Sequence, residues 1–571
     1  MDNPDSVADI VLSPKPGKAY ADIAREWSEE FIYFLMLDRF HDSVARKPTL
    51  QAERADGFPA PNTFYGGTLK GVKDHLDYIA DLGCTAIWIS PPLENNANSY
   101  HGYDIYNYLN IDPHFGSKQD LIDLVEAAHA RPLPMRVILD VVINHSGDNW
   151  FYPGNVPFNY FQDQQFDLGS FRRLPPEKPV VPTELADPRF YHRRGQIHGN
   201  AFDSFPENQH GDIFGLKDYA NDDDGNGSDL INILIKVHAY WIREADVDGF
   251  RVDAIKHMPE LACSRFCSNI REYALSLGKR SFFLFGELAT PNDDVINRYI
   301  GQNTSRSDQG QTVFFGIDSI LDFRLAEGNA GNPGLREVIK GLAGPATLVD
   351  RLEAQRDRAL NRGEIGRYLV TFLDNHDGFW QPAGRFGRNA PEEQIIAGVG
   401  YLLCALGTPC IYYATEQGYQ GDPGDEGLRQ AMFDSRVGGS NRLNPGCRIY
   451  QEISKIAAVM RNRTELRFGR MYFRDISGNG EDFGPAMDTK YTLAFSRLLY
   501  ASEVLFAYNV SPLARNDFVV VDSNLHPIGS TMQMLYRSSG GPLGAVAIHA
   551  SGNGTRSVRL DLHPREVMIL G

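Results

Sequence analysis

Three carboxylates stand where short apolar runs end: Asp253 after GFRV, Glu287 after FLFG and Asp377 after FLDNH. Arg251 and Asp253 are two apart in an extended run, so their side chains leave the same face and the guanidinium favours the ionised carboxylate. Such a carboxylate suits a nucleophile. A second carboxyl that protonates a departing oxygen completes the pair that retaining glycosidases require, and Asp253 with Glu287 meet that need. Asp377 adds negative potential, which stabilises an oxocarbenium-like transition state and keeps the acid protonated. His145 and His376 stand beside these groups and can bind sugar hydroxyls. Asp140 reads as a structural carboxylate bonded to Arg251.

Residues from separate parts of a chain converge only if the fold brings their strand ends together. From about residue 30 to 415, amphipathic helical stretches alternate with nearly continuous apolar runs, the pattern of parallel strands buried on both faces. Strand candidates are residues 31–37, 85–90, 135–142, 248–255, 281–288, a weaker one at 317–323, 367–373 and 409–415. Eight strands close a (β/α)8 TIM barrel, whose active site lies at the C-terminal ends of its strands. A doubly wound sheet fits the count, but no G-x-G-x-x-G follows the first strand. Ser117 with Asp120 marks a capping box, and Gly83 a helix C-cap. Asp140 and Asp253 are much further apart than the about 30 residues of one βαβ repeat, so an irregular lobe is inserted after strand three. Beyond residue 470 short strands between turn residues predict an antiparallel β domain. The expected partition is barrel over 1–145 and 217–470, inserted domain over 146–216 and a C-terminal β-sandwich over 471–571.

Composition limits the partners. The 571 residues carry 56 Lys and Arg against 73 Asp and Glu, a net charge of −17 that opposes nucleic-acid binding. No apolar run of about 18 residues offers a membrane span. The acidic N-terminus is unlike a signal peptide and the 6 cysteines are too sparse for a disulfide framework, so a cytoplasmic protein with reduced thiols is expected. No residue pattern assigns an oligomeric state. The run Asp222, Asp223, Asp224 reads as a solvated loop, and Trp150, Tyr152, Phe379 and Trp380, flanking the motifs, as candidate sugar platforms.

The segments DVVINH (140–145), GFRVDAIKH (249–257), FGEL (285–288) and FLDNHD (372–377) resemble, in order, four motifs of the α-amylase family, glycoside hydrolase family 13. Residues 65–91, 100–106, 216–219 and 407–417 extend the resemblance over most of the chain. It implies that Asp253 is the nucleophile, Glu287 the general acid/base and Asp377 the transition-state stabiliser. It further implies that Arg251 orients the nucleophile, that His145 and His376 bind hydroxyls at the cleavage point, and that Tyr103 stacks on that sugar ring near His101. Lys256 and His257 match positions on the leaving-group side. A calcium ion between barrel and lobe is implied on Asn144, Asp218 and the carbonyl of His257, all oxygen donors, although the segment holding Asp218 reads LKDY where the usual form is closer to LPDL.

The resulting expectation is a retaining α-amylase-like hydrolase of α-1,4-glucans or malto-oligosaccharides. The alternative is an α-glucan transglycosylase, because KHM (256–258), LDFR (321–324) and ATEQ (414–417) are similar to segments of cyclodextrin glucanotransferases. A third reading, a non-catalytic carbohydrate-binding relative, should have lost a catalytic carboxylate, whereas all three stand here.

Overall fold

The computed structural model describes residues 3–571 apart from 43–63, 98, 156–157, 200, 223, 291, 301–304, 307–310, 313–315, 330, 358–367, 379–382 and 434–441. Eight parallel strands form its centre: β1 (Ile32–Leu35), β2 (Ala86–Ile89), β3 (Arg136–Val141), β4 (Gly249–Val252), β5 (Phe283–Gly286), β6 (Ser319–Ile320), β7 (Val370–Thr371) and β8 (Thr408–Tyr412). Each strand neighbours the next in sequence from β1 to β6, and β8 joins β7 to β1. A bridge between Leu321 and Val370 closes the ring between β6 and β7. The sheet is therefore a barrel rather than doubly wound, and all its strand residues are buried, as helices on the outer face and packed side chains inside require.

Local chemistry sets the surrounding helices. Ser117 accepts a bond from the Asp120 N–H while Asp120 accepts from the Ser117 N–H, which starts helix Lys118–His129. Gly83 ends helix Leu76–Leu82 in the left-handed region at φ 109°, where an added Cβ would lie 2.4 Å from Ala457 Cβ. Among the described residues no helix is long and apolar enough to cross a membrane.

After β3 the chain leaves the barrel. His145–Ser146 pairs antiparallel with Lys217–Asp218, so the two ends of the intervening lobe are stitched together at its base. Among its described residues the lobe holds short helical turns such as Thr183–Ala186 and Glu207–His210 and isolated β-bridges, around a core of Trp150, Tyr152 and Tyr191. Burial removes Trp150 and Tyr152 as sugar platforms. Tyr152 Oη instead donates to Asp212 Oδ2 at 2.9 Å, while Phe379 and Trp380 lie outside the described residues. The acidic run is solvent-accessible yet bonded: exposed Asp224 caps helix Gly225–Ala245 and Asp222, with 41% of its side chain exposed, meets two imidazoles, while Asp223 is outside the described residues.

The C-terminal region is an antiparallel sheet of nine strands. Strand Ser502–Asn509 shows its logic through period-two burial. Val504, Phe506 and Tyr508 belong to the core shared with the barrel, whereas Leu505 and Ala507 join a separate core on the other face with Val519, Met532 and Leu560. The sheet thus covers the barrel with one side and shelters a small core with the other.

Candidate active site

A cavity of about 630 Å³ opens at the C-terminal mouth of the barrel. Asp253, Glu287, Asp377, His101, Tyr103, His145, Lys256, His257 and His376 all line it. Arg251, Asn144 and Asp218 do not; they are buried behind its wall.

The register of the strands explains the convergence. Asp140 on β3 is the lateral neighbour of Arg251 on β4, so both project into the same layer of the barrel. Arg251 Nη1 donates to Asp140 at 2.9 and 3.1 Å and to Asp253 Oδ1 at 2.5 Å, while Nη2 donates to Glu287 Oε2 at 2.8 Å. One planar fork therefore spans both members of the carboxylate pair. Asp140 is further fixed by Trp88 Nε1 at 3.1 Å and Tyr103 Oη at 2.9 Å. Directly after Asp253 the chain turns through Ala254 in the left-handed region, at φ 50°. The turn aims the Ala254 N–H at Glu287 Oε2, 3.2 Å away. A non-glycine residue in that region is strained, and here the strain accompanies a bond to the second carboxylate.

The charge balance differs from what Arg251 alone would set. Burial, foremost, together with Glu287, Asp140 and Asp377, pushes the Asp253 carboxyl well above its usual range against the pull of Arg251. Burial raises Asp140 to about 6. Desolvation of these buried carboxyls thus outweighs the pull of Arg251, and at Asp253 the neighbouring carboxylates add to it. Burial also raises Asp377, opposed by Arg429, whose Nη2 stands 3.2 Å from Asp377 Oδ1. The imidazoles are pushed the other way: burial lowers His101 and His145 to about 3 and His376 well below its ordinary value. They are neutral hydrogen-bonding groups at neutral pH. His145 Nε2 and His376 Nδ1 are buried without a partner.

Tyr103 stacks on His376 with centroids 5.3 Å apart, and its N–H donates to His101 Nδ1 at 3.1 Å. Lys256 pairs with Asp203 of the lobe, and His257 Nδ1 donates to the Asn208 carbonyl at 2.6 Å. Residues that the sequence did not single out complete the cleft: Arg429, Asp425, Asp148, Phe202 and Phe214. Arg429 has no signal beyond its Gly- and Asp-rich loop, whereas Phe202 and Phe214 were hidden in the aromatic-rich lobe.

A family model of the α-amylase catalytic domain matches residues 34–435, most of the barrel and the whole lobe. The chain belongs to the α-amylase family. An α-amylase of Streptomyces lividans is 29% identical over 475 residues, covering 72% of this chain and 48% of that protein. A cyclomaltodextrin glucanotransferase of Klebsiella oxytoca is 28% identical over 439 residues, covering 71% and 60%. The chain thus spans about half the length of the curated α-amylase family relatives it matches. The crystal structure of an Anoxybacillus α-amylase superposes with a TM-score of 0.69 at 26% identity, over 96% of this chain and 99% of that one.

Proposed function

We propose that this chain is a retaining enzyme that cleaves α-1,4-glucosidic bonds of malto-oligosaccharides or α-glucans. The observation that carries the reading is the Arg251 fork beneath the cavity, bound to Asp253 and Glu287 together. Two carboxylates on one fork favour the close spacing of about 5–5.5 Å used for covalent catalysis over the wider gap that an inverting enzyme keeps for water. Asp253 attacks the anomeric carbon while Glu287 gives its proton to the glycosidic oxygen, so the bond to the leaving sugar breaks and a glucosyl ester of Asp253 forms. Water then attacks the same carbon, Glu287 takes its proton and Asp253 leaves as carboxylate. Asp377 adds negative charge against the oxocarbenium character of both transition states. The neutral imidazoles of His145, His101 and His376 bind hydroxyls without opposing that positive charge, and Tyr103 gives the ring an aromatic face.

Transfer to a sugar hydroxyl is the second reading, and Phe214 favours it. This side chain is 68% exposed on the cavity wall, with Phe202 5.8 Å away by ring centroids and His257 beyond it. Exposed Phe214, backed by half-buried Phe202 beside the leaving-group side, offers a face on which an acceptor sugar can displace water.

A calcium ion fits between barrel and lobe. Asn144 Oδ1 and Asp218 Oδ1 are both buried without a hydrogen-bond partner, and the Tyr219 N–H donates to the Asn144 carbonyl at 3.0 Å, so these oxygens sit at one seam. With the His257 carbonyl they form a hard oxygen set that would hold the lobe against the barrel. The six cysteines, all free and five of them buried, support a reducing, cytoplasmic setting.

The deciding experiment incubates the protein with maltohexaose and follows reducing ends and chain lengths together. Hydrolysis raises reducing ends; transfer yields longer or cyclic products at constant count. Unchanged turnover in both Asp253→Asn and Glu287→Gln would overturn the assignment.

A further inference from the structure

Behind the cleft wall, three side chains from separate segments meet outside the catalytic constellation. His192 follows the helical turn Pro188–Phe190, His210 ends the turn Glu207–His210, and Asp222 precedes helix Gly225–Ala245 of the barrel. One ligand atom from each lies within 4.8 Å of the other two. His192 Nε2 is 3.0 Å from Asp222 Oδ2, His210 Nε2 is 3.4 Å from Asp222 Oδ1, and the two imidazole rings are 4.5 Å apart. In a tetrahedral zinc site with bonds of about 2.0–2.1 Å, ligand atoms stand about 3.3 Å from one another. Each imidazole nitrogen is near that spacing from its own Asp222 oxygen, and the three groups lie within 4.8 Å of one another, which leaves a fourth corner for water.

We propose that His192 Nε2, His210 Nε2 and an Asp222 carboxylate oxygen form a binding site for a borderline divalent cation of the zinc class. The donor set is distinct in kind from the Asn144 and Asp218 oxygens: two imidazole nitrogens select zinc, cobalt or nickel over calcium. The surroundings are those of a built site. His192 Nδ1 is 2.5 Å from Asp218 Oδ2, which orients the ring; with the proton on Nδ1, a bound metal would take Nε2 in place of its 3.0 Å contact to Asp222 Oδ2. Asp218 Oδ1 stays turned to the oxygen site, so one carboxylate serves as ligand on one side and as orienting acceptor on the other.

The site joins lobe to barrel, since two ligands belong to the lobe and the third to the segment entering a barrel helix. It also reaches the cleft. His210 shares its short turn with Asn208, whose carbonyl accepts the bond from His257 Nδ1 at 2.6 Å, and Gln209 Nε2 donates to the Met258 carbonyl at 3.4 Å. Occupancy therefore stiffens the wall on the leaving-group side.

The test uses the full chain, stripped with a chelator and then held in excess calcium so that the oxygen site is filled. Titration with ZnCl2 against a chromophoric chelator should show one tightly bound equivalent, and CoCl2 should produce the visible absorption of a four-coordinate site with imidazole ligands. His210→Gln and Asp222→Asn, both partly exposed and away from the core, should each weaken zinc binding at least tenfold and abolish the cobalt band while the thermal shift produced by calcium persists. The inference is overturned if the wild type takes up no zinc, if both variants bind it as tightly, or if calcium displaces it equivalent for equivalent. The cobalt spectrum of the wild type decides the matter even where a variant folds poorly.

Discussion

Arg429 holds Asp377 from beside rather than beneath: Nη2 stands 3.2 Å from Asp377 Oδ1 while Nε donates to the His376 carbonyl at 2.8 Å. The same guanidinium fixes both the third carboxylate and the backbone of the histidine before it. Losing a charge-assisted hydrogen bond costs about 1.5–3 kcal/mol, which as a barrier is about 10- to 100-fold in rate. Arg429→Gln should therefore lower kcat on maltoheptaose by that range with a smaller change in KM, and Arg429→Lys should fall between it and the wild type. Steady-state kinetics beside circular dichroism check this; an unchanged kcat in a folded Gln variant would contradict it.

Ala254 provides a backbone test. Its φ of 50° suits glycine and penalises β-branched residues. Ala254→Gly should be neutral or stabilising in thermal unfolding. Ala254→Val should cost at least about 1–2 kcal/mol and, by moving the N–H from Glu287 Oε2, reduce turnover disproportionately.

A buried histidine outside the cleft makes the acid sensitivity measurable. Burial lowers His238 to about 4, although its bond to the Leu234 carbonyl works the other way. Because the folded value lies below the unfolded 6.5, the unfolded chain binds the proton first and stability falls as pH drops from about 6.5 toward 4. Between pH 7.5 and 5 the wild type should lose about 2 kcal/mol relative to His238→Gln, since each pH unit in that window is worth about 1.4 kcal/mol. Urea unfolding of both proteins at the two pH values measures the difference directly, free of the opposite slope contributed by Asp140.

Calcium should act as a stabilising ligand. At about 100 times its dissociation constant an ion bound only by the folded state adds about 2.7 kcal/mol. A melting temperature that rises with CaCl2 in the wild type and stays flat in Asn144→Ala is the expected pair of curves. A rise in both would move the ion elsewhere.

Much of this molecule was legible in its sequence because parallel barrel strands are apolar on both faces and leave continuous runs. All eight runs overlap a strand, although β6 and β7 shrink to two residues each, where one bridge between Leu321 and Val370 closes the ring. Asp253 and Glu287 were legible because each directly follows a strand, Arg251 because it stands two before Asp253, and Asp377, which lies in the loop beyond β7, only through its motif. Arg429 was not, since it acts from a loop after β8 that lacks any period. Nor was the charge state of Asp253, which depends first on how deeply the fold buries it and then on the carboxylates gathered around one arginine. His192, His210 and Asp222 have no spacing that predicts their meeting; only the lobe's path brings them together.

The sheet that shares the barrel's core carries a further consequence. Tyr401 of helix Glu392–Cys404 packs edge-on against Phe495 at 5.3 Å and near Phe506 at 6.4 Å, and Arg497 donates to the Cys404 carbonyl at 2.9 Å. Cutting the chain near residue 470 would strand this helix with an oily flank and unmet carbonyls. The C-terminal region is thus a stave of the cask rather than a detachable cartridge, and heat should melt cask and stave in one transition.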